Sequence, residues 1–230
     1  MEYYSTSRPF IAANLRTHRR VRIYLILKRC VERVLALAFL ILLAPLFLLF
    51  ATLIRLDSSG SVLFRQTRVG KDGKPFTCYK FRSLYADVDR SAHLAFLKAF
   101  VDQDIQEAAD DQAVFKPIRP DQVTAVGRFL RRTSLDEVPQ LINIFKGDMS
   151  FVGPRPNMPG EVEEYKDWQK RRLEVLPGIT GLAQINGRSS IPFDRIARYD
   201  IEYVEKESLA LDLRIIVQTV PLVLRGKGAK

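Results

Sequence analysis

Two adjacent carboxylates, Asp136 and Glu137, are the residues of this sequence with the clearest potential for chemistry. They stand in the polar string 133–140, just before apolar residues spaced as on one face of a helix. Neighbouring acids repel each other, and a divalent cation relieves that repulsion while attracting phosphate oxygens. One carboxylate could hold Mg²⁺ while the other attacks phosphorus, since carboxylate nucleophiles form acyl phosphates.

The same residues also have a purely structural interpretation. Ser134 and Glu137 are spaced as a capping box, in which both side chains satisfy amides at the start of a helix. Acids also suit a helix N-terminus. Pro139 counts against a simple cap, because it would fall in the second turn and remove a backbone donor there. Spacing alone leaves both interpretations open.

Basic side chains near this pair could bind phosphate. Arg131 precedes Asp136 by five residues, and Arg155 lies between Pro154 and Pro156. The prolines stiffen the backbone on both sides of Arg155, and a guanidinium matches phosphate with two parallel hydrogen bonds. The alternatives are that Arg131 faces solvent or lipid headgroups and that Arg155 sits in a rigid surface turn.

The composition excludes several classes of site. The chain has 230 residues, with 36 lysines and arginines against 26 acids and a net charge of +10. Its two cysteines and two histidines argue against a disulfide framework, a zinc site or a Ser-His-Asp triad. The charge predicts a polyanionic partner: acidic lipid, nucleic acid or phosphorylated substrates. No recognition helix or base-stacking motif supports nucleic acid, so we expect none.

Residues 34–54 form a run of 21 residues without a charge, interrupted by Pro45. An unbroken helix of that length would span about 30 Å, roughly one bilayer core. Proline kinks or breaks such a helix. Both flanks are rich in lysine and arginine, which mark the cytoplasmic side of a membrane. We therefore expect a re-entrant membrane helix broken at Pro45, with a spanning signal anchor as the alternative.

The remaining chain divides by composition. Residues 1–33 form a basic N-terminal arm, and residues 55–230 are long enough for one domain with its own core. The turn 70–73 between two strand-like stretches predicts a hairpin. Residues 85–120 predict a helical insert. The apolar tail 209–224 predicts an interfacial helix lying on the membrane, with a packed core helix as the alternative.

Taken together, these segments resemble one family, the bacterial sugar transferases or monotopic phosphoglycosyl transferases. The resemblance covers the chain from about residue 22 to its end, and so many ordered strings favour the chemical interpretation of Asp136 and Glu137 over the capping box. The matching strings are LFRQTRVGKDGKPF (63–76), YKFRSL (79–84), GRFLRRTSLDEVPQLINIFKGDMSFVGPRP (127–156), PGITGLAQINGR (177–188) and YDIEYVEKESLALDLRIIVQTV (199–220).

The resemblance implies a mainly helical α/β fold. It comprises a single catalytic domain, a re-entrant N-terminal helix and interfacial amphipathic helices on the cytoplasmic face of the bacterial inner membrane. It also implies transfer of a sugar-1-phosphate from a UDP-sugar to polyprenyl (undecaprenyl) phosphate, with release of UMP, as the first step of surface glycan synthesis such as that of exopolysaccharide. Lipids of the inner leaflet are then partners, and a homodimer is left open.

By analogy with the family, Asp136 is the nucleophile and Glu137 is the Mg²⁺ partner. The implied course has two steps through a phosphosugar ester of Asp136. Phosphate-binding roles are implied for basic residues in the matching strings: Arg131 and Arg155, with Lys80, Arg82 and Arg188 as further candidates.

Two departures from the family pattern and one alternative function accompany this resemblance. The family often has Ser-Pro at the helix break, where this chain has Ala44-Pro45 and so lacks a hydroxyl for the freed backbone groups. Residues 120–124 lack the arginine often present there. The alternative is a non-catalytic membrane scaffold of a polysaccharide assembly complex, which predicts no turnover of any nucleotide sugar.

Overall fold

The computed structural model describes residues 8–86, 88, 101, 119–187 and 191–224, with side chains from residue 23 to residue 223 of these. The predicted insert at 85–120 falls almost wholly outside the described residues. The described part is mainly helical with two small sheets, as predicted. In chain order its elements are α1 (Arg8–Leu42), α2 (Ala44–Asp57), β1 (Leu63–Val69), β2 (Pro75–Phe81), α3 (Ala125–Thr133), α4 (Leu141–Lys146), β3 (Ser150–Val152), α5 (Pro159–Val162), β4 (Gly178–Thr180), α6 (Leu182–Ile185), α7 (Phe193–Lys206) and α8 (Leu209–Leu224).

The apolar run is broken at Pro45. Pro45 occupies the first turn of α2, where a missing N–H costs little because that amide has no partner within the helix. Helix α1 is continuous across the predicted boundary between residues 33 and 34. No single helix in the described residues is long and apolar enough to cross a membrane, but Ile23–Leu42 and Ala44–Asp57, bent by 60°, pass that test as a pair. Their re-entrant placement stays a prediction.

The helix pair packs one face on the domain and leaves the other exposed. Ala36 of α1 is fully buried in a cluster with residues of β2 and α4, and Ile54 of α2 is buried against Phe81 and Leu130. Large apolar side chains cover the outer face, including Leu35, Leu37, Phe39, Ile41, Leu42, Leu48, Leu49, Leu53 and Leu56. This exposed face suits contact with a lipid phase.

Strands β1 and β2 form the predicted hairpin. They pair antiparallel from Leu63 opposite Phe81 to Val69 opposite Pro75. The turn between them needs positive φ at Asp72 (56°) and Gly73 (74°), a conformation that glycine adopts freely and aspartate tolerates. The hairpin follows from local sequence because turn chemistry and alternating strand residues agree.

Arg82, just after β2, caps the C-terminus of α2. Its Nη1 donates to the carbonyl of Ser59 at 2.7 Å, and its Nη2 donates to the carbonyls of Ser58 at 2.6 Å and Ile54 at 3.3 Å. The carbonyls of Ser58 and Ser59 follow the last residue of α2, and the Ile54 carbonyl also accepts from the Ser58 amide at 3.2 Å, so this buried guanidinium fixes the chain where it leaves the helix. The phosphate-binding role expected for Arg82 is therefore not supported by its position.

The segment that carries the adjacent acids is not an ordinary helix start. Helix α3 ends at Ser134, which has a left-handed backbone (φ 58°), and residues Leu135–Gln140 form a 3₁₀ turn that leads into α4. The Ser134 side chain accepts no capping hydrogen bond, so the capping-box interpretation is wrong. Pro139 fits because this irregular turn lacks the regular bonding of an α-helix.

Two short parallel strands, β3 and β4, lie next to the loop that carries the proline-flanked Arg155. Ser150 and Val152 of β3 lie opposite Gly178 and Thr180 of β4. A Cβ on Gly178 would lie 2.1 Å from the amide nitrogen of Gly153, a distance that real side chains do not adopt. Glycine at 178 thus permits β4 to lie close to the backbone that follows β3.

Helix α8, the predicted interfacial tail, has two kinds of face. Ile215 and Asp212 are buried against the domain. Exposed apolar side chains cover the rest: Leu209, Leu213, Ile216, Val217 and Val220. Packing against the core, the alternative interpretation, therefore holds for one face, while membrane contact through the other stays a prediction.

Replacing Arg82 with alanine should destabilise the protein, because the carbonyls at the end of α2 would lose a charged donor. We expect a loss on the order of 2–4 kcal/mol, since hydrogen bonds from charged donors contribute about 1.5–3 kcal/mol each and these share one group. Thermal and denaturant unfolding in detergent would measure it. The matched control, Arg65→Ala on the exposed side of β1, should change stability by less than about 0.5 kcal/mol. An Arg82→Ala protein of normal stability that loses substrate binding would restore the phosphate-binding role.

Candidate active site

The 3₁₀ turn Leu135–Gln140 presents Asp136 and Glu137 beside the end of β2. Helix α3 stops at Ser134, and the turn then packs against β2, which carries Lys80. Both carboxylates are partly buried. The hairpin and the turn together bring a lysine and two acids into one place.

Glu137 is held by two cations from distant parts of the chain. Lys80 Nζ lies 2.7 Å from Glu137 Oε1, and Arg155 Nη1 lies 3.2 Å from the same oxygen. Among the described residues no donor is bonded to Glu137 Oε2 or to the carboxylate of Asp136. Lys80 and Arg155 thus hold the Glu137 carboxylate in place, while the Asp136 carboxylate has no bonded donor in the described part of the chain.

The two carboxyl groups have opposite pKa shifts. Burial raises the pKa of Asp136 above its ordinary value, and this outweighs the opposing charge of Lys80. Burial also acts to raise the pKa of Glu137, but the charges and hydrogen bonds of Lys80 and Arg155 outweigh it and hold that pKa well below its usual range. Environments that separate the pKa values of paired acids are typical of sites where the two groups have different tasks.

Arg155 is presented by the loop that follows β3. Its side chain is 51 % exposed while its Nη1 reaches Glu137. The guanidinium can therefore meet a bound phosphate while it stays in contact with the site. Glu137 in turn raises the pKa of Arg155, so the arginine is always charged.

The other three residues that were predicted to bind phosphate differ in how they lie relative to the acids. Arg131, in the last turn of α3, is partly buried, and its charge acts to lower the pKa of Asp136. Arg82 is bonded to the end of α2 instead of to this group. Arg188 lies outside the described residues, so its predicted role stays a prediction.

The donor set fits a magnesium ion that is shared with substrate. Mg²⁺ prefers oxygen ligands and is commonly held by one or two carboxylates together with substrate phosphates and water. In the described part of the chain no group of three or more His, Cys, Asp or Glu residues could hold a metal, so the protein would supply these two acids alone. Glu137 Oε2 and the Asp136 carboxylate are the oxygens available.

Two arginines that the sequence did not single out bind the backbone of the loop that carries Arg155. Arg172 donates to the backbone carbonyl of Arg155, and Arg68 donates to that of Pro156. On β1, Arg68 follows Gln66 by two residues, so both side chains lie on the same face of the strand. This alternation could have revealed that Arg68 faces the protein. Arg172 lies in a strongly charged stretch, 166–174, that resembles a solvated surface, so no local signal was present.

Residues 23–226 match the family model described as bacterial sugar transferase. The exopolysaccharide production protein ExoY of Sinorhizobium fredii is 38 % identical over 203 residues, which are 88 % of this chain and 87 % of that protein. The undecaprenyl-phosphate galactose phosphotransferase of Salmonella typhimurium is 39 % identical over 203 residues, 88 % of this chain.

A third relative is the UDP-glucose:undecaprenyl-phosphate glucose-1-phosphate transferase of Escherichia coli, 38 % identical over 204 residues. The chain spans 41 % of the Salmonella protein and 39 % of the Escherichia coli protein, less than half the length of each. The family model nevertheless matches residues 23–226, the span in which both acids, Lys80 and Arg155 lie, and ExoY is matched over most of its length, so the chain belongs to the bacterial sugar transferase family.

Proposed function

We propose that this chain transfers a sugar-1-phosphate from a UDP-sugar to polyprenyl phosphate, with undecaprenyl phosphate as the expected acceptor, and releases UMP. One observation carries the proposal: an open carboxylate, Asp136, adjoins a second, Glu137, that Lys80 and Arg155 fix. The Salmonella and Escherichia coli relatives are named for the same class of donor or acceptor.

In the first step a carboxylate oxygen of Asp136 attacks the β-phosphorus of the UDP-sugar. A bond forms between that oxygen and phosphorus, and the bond from phosphorus to the bridging oxygen breaks. The bridging oxygen keeps the electron pair and leaves as part of UMP. The sugar phosphate is then an acyl phosphate on Asp136, an intermediate type that carboxylate nucleophiles form.

In the second step a phosphate oxygen of the polyprenyl phosphate attacks the same phosphorus. The bond to Asp136 breaks and returns the electron pair to its carboxylate. The product is a polyprenyl diphosphate sugar, and the enzyme is regenerated. No proton has to be moved by a histidine in either step, which agrees with a chain whose two histidines lie outside the matching strings.

The basic residues suit charge stabilisation during these steps. A transferring phosphoryl group spreads negative charge over its oxygens, and fixed cations stabilise that charge most where water is excluded. Arg155 is exposed enough to bind such oxygens, and the charge of Arg131 acts on Asp136. Lys80 keeps Glu137 ionised and in place.

We include Mg²⁺ in the proposal. When bound, the ion would neutralise part of the diphosphate charge and help UMP to leave. Glu137 would hold the ion through Oε2, to which no donor among the described residues is bonded, and its negative charge would attract the ion. Lys80 and Arg155 orient that oxygen by holding Oε1.

The membrane arrangement follows from the helix pair. The exposed apolar faces of α1, α2 and α8 would lie in the inner leaflet, with the basic flanks at the lipid headgroups on the cytoplasmic side. Asp57 at the end of α2 accepts a hydrogen bond from the amide of Val126 at 2.9 Å, which joins α2 to the helix that leads to Asp136. An acceptor lipid in the same leaflet would therefore bring its phosphate close to the site, where glycan synthesis would begin.

Asp136→Asn should abolish UMP release, because an amide cannot form the acyl phosphate. We expect a loss of at least about a thousandfold, since removal of a covalent nucleophile leaves only binding and electrostatic effects. The assay uses purified protein, Mg²⁺, a short polyprenyl phosphate and a panel of UDP-sugars. With the acceptor withheld, mass spectrometry of the wild-type protein should find a sugar phosphate on Asp136. Retained turnover in the variant would remove Asp136 as the nucleophile, and no turnover by the wild type would favour the scaffold.

Glu137→Gln should lower both the rate and the apparent affinity for Mg²⁺, because the neutral amide attracts a cation less strongly. A tenfold to hundredfold loss of affinity is the rough expectation for weakened ligation. The measurement is UMP release as a function of Mg²⁺ concentration. Glu202→Gln, at an exposed position of α7, is the control for loss of one negative charge and should leave both quantities unchanged. An unchanged Mg²⁺ dependence in Glu137→Gln would exclude Glu137 as the ligand.

Carbonate washing of membranes should leave the protein in the pellet. Burial of the apolar face of α1 and α2 contributes on the order of tens of kcal/mol, at about 1.5–3 kcal/mol for each large side chain. Leu48→Asp, on the exposed apolar face of α2, should increase the released fraction. Lys170→Asp, at an exposed polar position, is the charge-change control and should not. Complete release of the wild-type protein would contradict the membrane arrangement.

A further inference from the structure

We propose that Arg172 and Arg68 are positioning residues that clamp the backbone of residues 155–157 from two sides and thereby hold the Arg155 guanidinium at Glu137. This inference rests on the proposed function, because it assigns how one phosphate-binding side chain is placed. Neither arginine contacts Glu137 among the described residues, so both would act through Arg155.

The loop needs such a clamp because of its own sequence. Pro154 and Pro156 have no N–H, so the usual amide donors are missing on both sides of Arg155. Apart from the Arg155 amide, carbonyl oxygens are the backbone groups that remain for anchoring in residues 154–156. Arg172 Nη2 donates to the Arg155 carbonyl at 3.2 Å, and Arg68 Nη1 donates to the Pro156 carbonyl at 3.0 Å.

Arg172 holds the loop from the interior of the protein. Its side chain is 2 % exposed, and that of its ion-pair partner Asp200 is 1 % exposed. The guanidinium also donates to the side-chain oxygen of Asn157 at 2.9 Å and to the hydroxyl of Tyr165. A buried charge is costly unless it is paired and hydrogen-bonded, and here the donors of one guanidinium are divided between a carboxylate and the loop.

Arg68 holds the opposite side of the loop from β1. Its Nε and Nη2 donate to Gln66 Oε1 at 3.1 and 2.6 Å, which fixes the guanidinium plane. The next amide on the strand, that of Val69, donates to the carbonyl of Asn157 at 2.9 Å. Glu161 Oε2 lies 3.7 Å from Arg68 and compensates its charge. The loop therefore lies between a buried arginine and a strand edge.

The position of the Arg155 side chain depends on this clamp. In the described part of the chain its guanidinium is bonded only to Glu137, and half of the side chain faces solvent. Its own packing therefore cannot fix it, so its place follows the backbone that carries it. A displacement of about 1 Å at a catalytic site can reduce the rate about a hundredfold.

A double-mutant cycle distinguishes positioning from general stabilisation. Arg172→Gln, Arg155→Ala and the double variant are compared for kcat/KM of UMP release. Arg172→Gln alone should lose about tenfold to a hundredfold. In the Arg155→Ala background the same change should lose less than about twofold, because the side chain to be positioned is gone. Equal losses in both backgrounds would overturn the inference.

The controls address folding. All variants are assayed below their unfolding temperature, and Ile54→Ala truncates a core side chain that lies outside the clamp. Its effect should be the same with and without Arg155. If Arg172→Gln does not fold, Arg68→Gln takes its place in the same cycle, and an additive result there counts equally against the inference.

A binding measurement separates this inference from the proposed function. The same cycle is run on the affinity for UDP by calorimetry, which needs no turnover. If the effects of the two substitutions on UDP affinity are non-additive but the wild-type protein releases no UMP, the proposed function is overturned and the positioning role remains. Turnover with additive effects on both rate and UDP affinity would do the reverse.

Discussion

The site depends on one shared oxygen. Glu137 Oε1 meets Lys80 from β2 and Arg155 from the loop after β3, so three segments that are far apart in sequence converge on a single acceptor. A partly buried carboxylate is stable there only because two cations compensate it. If either cation were displaced, Glu137 would lose its orientation, and the electrostatic environment of the neighbouring Asp136 would change. The hairpin, the 3₁₀ turn and the β3–β4 pair all serve this convergence.

The helices predicted to meet the membrane are bonded to both halves of the site. Glu32 of α1 accepts from the Ser150 hydroxyl at 2.6 Å and from the Phe151 amide at 3.2 Å, on the strand that leads to Arg155. Asp57 of α2 accepts from the first turn of α3, which leads to Asp136. Both acids flank the uncharged run 34–54, and a carboxylate removed from water is costly unless it is hydrogen-bonded. Here they join the apolar pair and the two arms of the site into one unit.

Sequence was informative where local rules decide structure and uninformative where distant residues do. The hairpin and the break at Pro45 follow from turn residues and from the chemistry of proline. The capping box failed although its spacing was correct, because the left-handed backbone at Ser134 ends α3 there and removes the serine from the capping role. The phosphate-binding role expected for Arg82 and the absence of any expectation for Arg172 have one cause, since both guanidinium groups bind acceptors that only the folded chain brings near. The family strings contain the acids, Lys80 and Arg155, but they do not show that Lys80 and Arg155 meet at Glu137.

The irregular turn explains how adjacent acids can have separate tasks. In a 3₁₀ turn successive side chains diverge by about 120°, against about 100° in an α-helix. Glu137 Oε1 accepts from Lys80 and Arg155, while among the described residues no donor is bonded to the Asp136 carboxylate. Both carboxylates pointing toward the same cations would compete for them, and neither would be available to attack phosphorus. Pro139 helps to keep the turn irregular, because a continuous α-helix would require the donor that proline lacks. The proline that weakened the simple helix interpretation is thus one reason why the two acids can differ.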